Sequence, residues 1–389
     1  MSTACPNIIV VNGSAVDVSD VPVHQSILDF LRSSGRTGSK VGCNEGDCGA
    51  CTILVRNGNH PVRAINGCLA LVASLVGKEI ITSEGLSPDG ALHPVQKAMV
   101  ECNGSQCGYC TPGFICSMVE AHERKLTDPE AIANQLCGNL CRCTGYRPIR
   151  EAMLQSNPES ELPDPSCVPA APASSENWFR PASIEEALKL KSAHPTAPFI
   201  AGATELAVLI NKRHVRYDAL ISLDGIADLK TIEKSDMHWK IGAAAVLTDI
   251  EEALAGEYPA IDRVMRLFAS RQIRHRATLG GNLVTASPIA DTPPVLLALD
   301  ASVALKSLSG ERTIPLSEFF TGYRKTVLRD DEIMTSIIIP RGLPGRCEFF
   351  KVSKRREMDI STVSAAFRIV IDSGGLITDA RLAYGGVAA

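Results

Sequence analysis

Apolar and polar positions divide the chain into stretches of different period. From Ile8 to Val18 the residues are β-rich and are interrupted only by Asn12-Gly13. That dipeptide supplies the positive φ angles of a two-residue turn, so the segment is predicted as a hairpin. Ser26 then leads into Ile27, Leu28, Phe30 and Leu31, an apolar face at helical spacing that ends at Gly35 and predicts a short capped helix. A Gly- and Cys-rich loop from Gly42 to Cys51 follows, then a strand at Thr52 to Val55, a turn at Asn57-Gly58 and a strand around Val62 to Ile65. These elements predict a small sheet packed on one helix.

From Leu92 to Gln155 the pattern turns helical. Pro94 falls at a first helical position, and Thr111-Pro112 and Asp128-Pro129 each place an N-cap residue before a proline just inside a helix. With the stretch after Arg147 this predicts four helices. Residues 156–176, rich in Pro, Ser and Ala, can neither propagate a helix nor fill a core and read as a linker. From Trp178 onward strands and helices alternate, with strands expected at Lys240 to Ala244 and Glu332 to Ile339 and no internal repeat.

Composition narrows the class. The 389 residues are 45% hydrophobic and 21% charged, as in a soluble globular protein of two or three domains, and no apolar run has the length needed to cross a bilayer. A net charge of -4 and a pI near 6.1 leave no basic surplus for phosphates, which argues against nucleic acid as a partner. The start MSTACPNIIV has no basic segment before an apolar stretch, so it does not read as a secretory signal, and the chain is expected in the cytoplasm.

Twelve of the fourteen cysteines precede residue 150. In a reducing compartment such crowding points to metal ligation rather than to disulfides. Cys43, Cys48 and Cys51 in GCNEGDCGAC, with Cys68 beyond a hairpin, have the C-x4-C-x2-C spacing of a plant-type [2Fe-2S] ferredoxin. Gly42, Gly46 and Gly49 let the backbone wrap closely and aim amides at the sulfurs. A second set, Cys107 and Cys110 in QCGYCTPG with Cys141 and Cys143 in CRCTGYRPI, lies just before the helices expected near Pro112 and Pro148. Positive helix ends there would stabilise a reduced cluster. Four thiolates also suit zinc, so a zinc-bound scaffold without redox activity is the alternative from a different class. Cys5, Cys102, Cys116, Cys137, Cys167 and Cys347 are assigned to packing, and the histidines to surface or capping positions.

The three cysteine motifs, in this order and with LHPVQKAM at residues 92–99, resemble the iron-sulfur part of the xanthine dehydrogenase and aldehyde oxidase family. The resemblance covers nearly the whole length and is that of the small iron-sulfur/FAD subunit of a bacterial member. It implies an α+β multidomain architecture: a ferredoxin-like β-grasp domain at 1–83, a four-helix [2Fe-2S] domain at 84–155, the linker 156–176, and an FAD-binding domain of the molybdopterin dehydrogenase type at 177–389. On their residues alone, IAGATEL at 200–206 is equally an ordinary turn or a strand-to-helix loop in which Thr204 caps a helix and amides meet a phosphate, and TLGGNLVTASPIAD at 278–291 lacks the G-x-G-x-x-G of a Rossmann site. The resemblance identifies both as flavin loops. It implies Ala201, Gly202, Ala203, Thr204, Glu205, Leu206, Thr278, Gly280, Gly281, Asn282, Ser287 and Asp291 as FAD contacts. Lys354, in SKRREMDIS at 353–361, is implied near the flavin ring, while Met358 stands where relatives often carry an acidic residue and is given no role.

The resemblance further implies a relay. A purine, hypoxanthine or xanthine, is oxidised toward urate on a molybdenum cofactor held by a separate large subunit. Electrons then cross the cluster at Cys107, Cys110, Cys141 and Cys143, the cluster at Cys43, Cys48, Cys51 and Cys68, and FAD, and leave as hydride to NAD+. No residue is needed as a general acid or base, and a hetero-oligomer is expected. A partner oxidising aldehydes or another N-heterocycle is equally served by the same relay. Flavin subunits of the family continue into a further C-terminal domain, so the end at GGVAA, residues 385–389, is expected to mark a truncation that weakens FAD or NAD+ binding.

Overall fold

The computed structural model describes residues 7–88, 90–156, 162, 168 and 174–387. The readings for Cys5, Cys167 and most of the linker lie outside them.

Strand β1 (Ile8–Val11) turns at Asn12 and Gly13, with φ of 50° and 79°, into β2 (Ser14–Asp17), the hairpin that its sequence predicts. Helix α1 (Ile27–Ser33) starts because the Ser26 side chain accepts the Asp29 amide at 3.1 Å, and it buries Ile27, Leu28 and Leu31. With β3 (Thr52–Arg56), β4 (Arg63–Asn66) and β5 (Glu79–Ile81) the sheet has the order β2-β1-β5-β3-β4, parallel only between β1 and β5. One core holds Ile9, Ile27, Leu31, Ile53, Ile65 and Ile80.

A second core gathers Leu54, Ala64 and Ile81 of the sheet with Phe114, Ile115, Met118, Val119, Ile132 and Ile149. These last lie on α3 (Thr111–Glu123), α4 (Pro129–Leu136) and α5 (Arg147–Gln155), which with α2 (Pro94–Glu101) make the four expected helices. Each large apolar side chain removed from water there contributes roughly 1.5–3 kcal/mol. Asp128 caps α4 as expected, accepting the Ala131 amide at 2.8 Å. Thr111 does not cap α3: Cys110 occupies the cap position, and the Thr111 hydroxyl pairs with Ser105 at 2.7 Å.

Contacts divide the chain into two units. The first takes the described residues of 1–178 together with 203–217 and 270–275, and the second takes 179–202, 218–269 and those from 276 onward. The second unit is α+β. It contains an antiparallel five-stranded sheet ordered Ile232–Lys234, His238–Gly242, Ile333–Pro340, Ser302–Ser307, Gly310–Pro315. A three-stranded meander follows in Arg346–Val352, Val363–Ile371 and Ile377–Gly385. Among the described residues no helix is long and apolar enough to cross a membrane.

Candidate metal centres and flavin loops

The loop between α1 and β3 folds its cysteines inward because its backbone can adopt unusual angles. Asn44, Gly46 and Gly49 all have positive φ. A Cβ on Gly42 would lie 2.5 Å from Cys48 Sγ, and one on Gly49 would lie 2.2 Å from Gly138 O, so neither position admits a side chain as folded. The amides of Asp47 and Cys48 point at Cys43 Sγ at 3.2 and 3.3 Å, and the Cys43 amide points at Cys48 Sγ at 3.3 Å. The thiols pair. Cys48 hydrogen-bonds to Cys43 and, against burial, pulls the Cys43 thiol down to about 5, with the amides of Glu45, Cys48 and Asp47 adding to the effect. Cys48 is correspondingly driven up. The buried Cys51 and Cys68 repeat the pattern, with Cys51 lowered by the Cys68 thiol and Cys68 raised.

The second set pairs across the helical region. Cys107 bonds to Cys143 and Cys110 to Cys141. Burial and then the Cys141 thiol push Cys110 up to about 12. Cys110 sits at the N-cap of the 13-residue α3, where the helix dipole favours negative charge. The Thr144 hydroxyl lies 3.1 Å from Cys141 Sγ, and the Cys141 amide donates to the Tyr146 hydroxyl at 3.1 Å. The two cysteine regions are also stitched together: the Leu140 amide donates to Cys48 O at 2.9 Å and Asn139 Nδ2 to Gly49 O at 3.0 Å.

Sulfurs gathered as two pairs of pairs fit [2Fe-2S] clusters, in which each iron takes two thiolates. Tetrahedral zinc would instead draw four sulfurs to about 3.8 Å from one another, given its ~2.3 Å bonds. Among the described residues, the one group of three ligand-type side chains whose ligand atoms all lie within 4.8 Å is not a cysteine set but His93, His122 and Glu123. His93 is a capping residue. Its Nδ1 accepts the Val95 amide at 3.2 Å, so the proton of the neutral ring sits on Nε2 and leaves no lone pair there for a metal. Cys102 and Cys137 are partly buried and Cys116 fully so, in keeping with packing roles.

Both expected flavin loops have tight backbones. A Cβ on Gly202 would come within 1.8 Å of Arg276 O, and Arg276 Nε donates to Gly202 O at 3.1 Å, which sets the first loop beside the residues leading into the second. Thr204 is not the cap expected of it: Ala203 turns left-handed at φ 64°, and the helix Leu206–Arg213 begins with Glu205 at the cap position and no side-chain cap bond. In the second loop Thr278 caps the helix Leu279–Val284 by accepting the Gly281 amide at 3.1 Å. Gly280 packs where a Cβ would meet Ala243 O at 2.5 Å. Asn282 accepts from Thr292, and the buried Asp291 accepts from Lys351 at 2.8 Å and from Ser361. Ala201 and Ser287 are half-buried, while Lys354 is exposed.

Sequence reasoning missed Asn139, Asn211, Lys212 and Lys351, whose side chains hold these loops from positions remote in sequence. No local pattern marks them, because each is an ordinary polar residue on or beside a helix or strand.

Family comparisons agree with this geometry. Residues 9–70 match a 2Fe-2S iron-sulfur cluster binding domain and residues 82–154 a [2Fe-2S] binding domain. Residues 173–342 match the FAD binding domain in molybdopterin dehydrogenase, and residues 348–389 the CO dehydrogenase flavoprotein C-terminal domain. The chain is 33% identical, over 97% of its length, to xanthine dehydrogenase of Emericella nidulans, and 33% identical over 99% to xanthine dehydrogenase/oxidase of Rattus norvegicus. It spans about a third of the length of these relatives (33% and 34%). Among solved structures, carbon monoxide dehydrogenase from Hydrogenophaga pseudoflava is 28% identical with a TM-score of 0.52, covering 55% of this chain and 75% of that one. Quinoline 2-oxidoreductase from Pseudomonas putida 86 is 29% identical with a TM-score of 0.51, covering 56% and 75%. The chain belongs to the xanthine dehydrogenase family of molybdenum hydroxylases and carries its electron-transfer portion, two [2Fe-2S]-binding domains followed by an FAD-binding domain.

Proposed function

We propose that this chain is the electron-transfer subunit of a cytoplasmic xanthine dehydrogenase. In this reading it carries reducing equivalents to NAD+ from a molybdenum cofactor on a separate large subunit, where hypoxanthine and xanthine are oxidised to urate. The observation that carries the proposal is the pairing of eight sulfurs, Cys43 with Cys48, Cys51 with Cys68, Cys107 with Cys143 and Cys110 with Cys141, which we assign as cluster ligands. When bound, the clusters supply one-electron carriage and FAD joins it to two-electron hydride chemistry. The chain's own residues ligate, orient and set local charge. The Asp47 and Cys48 amides hold negative charge on Cys43 Sγ, and the N-terminus of α3 does the same at Cys110.

For the flavin we assign the loops 201–206 and 278–291, with Lys354 near the ring. Gly202 and Gly280 keep side chains out of the way, and Thr278 and Asp291 fix the second loop. The similarity to quinoline 2-oxidoreductase and carbon monoxide dehydrogenase supports a second reading, the same relay beside a different hydroxylase.

The test is elemental and spectroscopic. Purified anaerobically, the full chain is expected to hold about four irons and four sulfides, as two clusters require, and to show two EPR signals after reduction. Cys43→Ser should abolish one signal and Cys107→Ser the other. NADH alone should bleach the flavin and clusters if NAD+ is the acceptor. Reconstitution with the copurifying large subunit, assayed on xanthine, quinoline and an aldehyde, separates the two readings. Zinc in place of iron would end both.

A further inference from the structure

The helix that leaves the first flavin loop, Leu206–Arg213, lies against the first cysteine quartet. Its Ala207 is buried among Leu28, Cys51, Cys68 and Leu69, with Val208 packed alongside. One turn on, two consecutive residues reach the backbone of the ligand-bearing loops. Asn211 Nδ2 donates to Cys68 O at 2.8 Å and to Asn44 O at 3.3 Å, and Lys212 Nζ donates to Cys43 O at 3.0 Å. Lys212 also lies 3.4 Å from Glu45 Oε2. Carbonyl oxygens in a turn are satisfied cheaply by water or by a neutral donor. Placing an ammonium on one of them adds a full positive charge beside a site whose ligands are thiolates.

Adding an electron to a thiolate-ligated cluster adds negative charge, and a nearby cation favours that step while a nearby carboxylate opposes it. Lys212 and Glu45 flank the same loop with opposite signs, so they act on the potential in opposite directions. Asn211, which bridges Asn44 O and Cys68 O, holds the two ligand-bearing segments together.

We propose that Lys212 and Asn211 are positioning residues for the first cluster, Lys212 raising its reduction potential through the Cys43 carbonyl and Asn211 clamping its two ligand segments. The inference rests on the assignment of Cys43, Cys48, Cys51 and Cys68 as cluster ligands.

EPR-monitored redox titration of the full-length chain tests it, with each signal assigned by the Cys43→Ser and Cys107→Ser variants. Lys212→Gln keeps a donor and removes the charge; it should lower the midpoint of the first cluster and leave the second in place, and Lys212→Arg should restore it. Glu45→Gln should shift the same midpoint upward. Asn211→Leu should speed iron release to a chelator from the first cluster only. The proposal is overturned if Lys212→Gln leaves the first midpoint at its wild-type value with the signal intact, or if Asn211→Leu releases iron from the first cluster no faster than the wild type. Should Lys212→Gln lose the cluster, the Glu45→Gln shift decides. A wild-type chain that forms no cluster sinks the ligand assignment itself, an outcome distinct from clusters that form but do not shift.

Discussion

Glu120 stands in the last turn of α3 with 1% of its surface exposed, where a carboxylate survives only with partners. Burial alone would raise its carboxyl, but His275 and Arg271 hold it below the usual carboxylate range. Arg271 Nε donates to it at 3.0 Å, His275 Nε2 lies at 2.7 Å, and Gln135 Nε2 and the Ala64 amide supply 2.9 and 3.0 Å bonds. Glu120→Ala would leave the Arg271 guanidinium buried without this anion, and urea unfolding should show a loss of roughly 3–5 kcal/mol. Glu120→Gln keeps an acceptor and should lose less; equal stabilities for wild type and Glu120→Ala would refute the role. Such a site is invisible in the sequence, where a glutamate on a helix reads as a solvated residue. Its partners come from residues 64, 135, 271 and 275, and only the fold makes them neighbours. The gathering of the eight cysteines is more legible for the opposite reason, since within 43–51, 107–110 and 141–143 their spacing is local.

At the scale of the element, the helix starts divide in the same way. Pro94 and Asp128 mark the starts of α2 and α4 because the signal and its effect lie within four residues. Thr111 and Thr204 fail as caps because their neighbours shape the position: Cys110, hydrogen-bonded to Cys141, occupies the cap of α3, and Ala203 bends the chain into a left-handed turn before Glu205. The cap of α2 carries a pH dependence. Burial and the adjacent His122 lower His93 to about 4, against an ordinary value of 6.5. The folded state therefore favours the neutral ring. Stability is fully present above the unfolded value and is lost as the pH falls from 6.5 toward 4, by at most about 3 kcal/mol. His93→Asn retains a capping acceptor without a titrating group, so its unfolding free energy should fall less steeply across this window. Parallel pH profiles for the two proteins would remove His93 as the cause.

For the whole molecule, chain order and spatial grouping disagree in an informative place. Motif order tells where the cluster and flavin portions lie, but not that residues 203–217 and 270–275, which lie in the flavin-binding stretch of the sequence, join the unit of the cysteines. Neither segment has a composition that sets it apart. Each is bound there by side-chain contacts: Tyr217 N to His24 Nε2 at 2.9 Å, Asn211 and Lys212 to the first cysteine loop, Gln272 Nε2 to Ser117 and Asn139 at 2.9 and 2.7 Å, and Arg271 and His275 to Glu120. Asn139 in turn donates to Gly49 O between Cys48 and Cys51, so the loss of Gln272 reaches the first quartet through one intermediary. A fragment of residues 1–178 keeps all eight cysteines yet lacks these supports. It should assemble both clusters and release iron to a chelator faster than the full chain does, the first cluster being affected most because the Leu206–Arg213 helix packs directly on Cys51 and Cys68. Equal release rates from fragment and full chain would mean that the returning segments only follow the cysteine unit and do nothing to hold it.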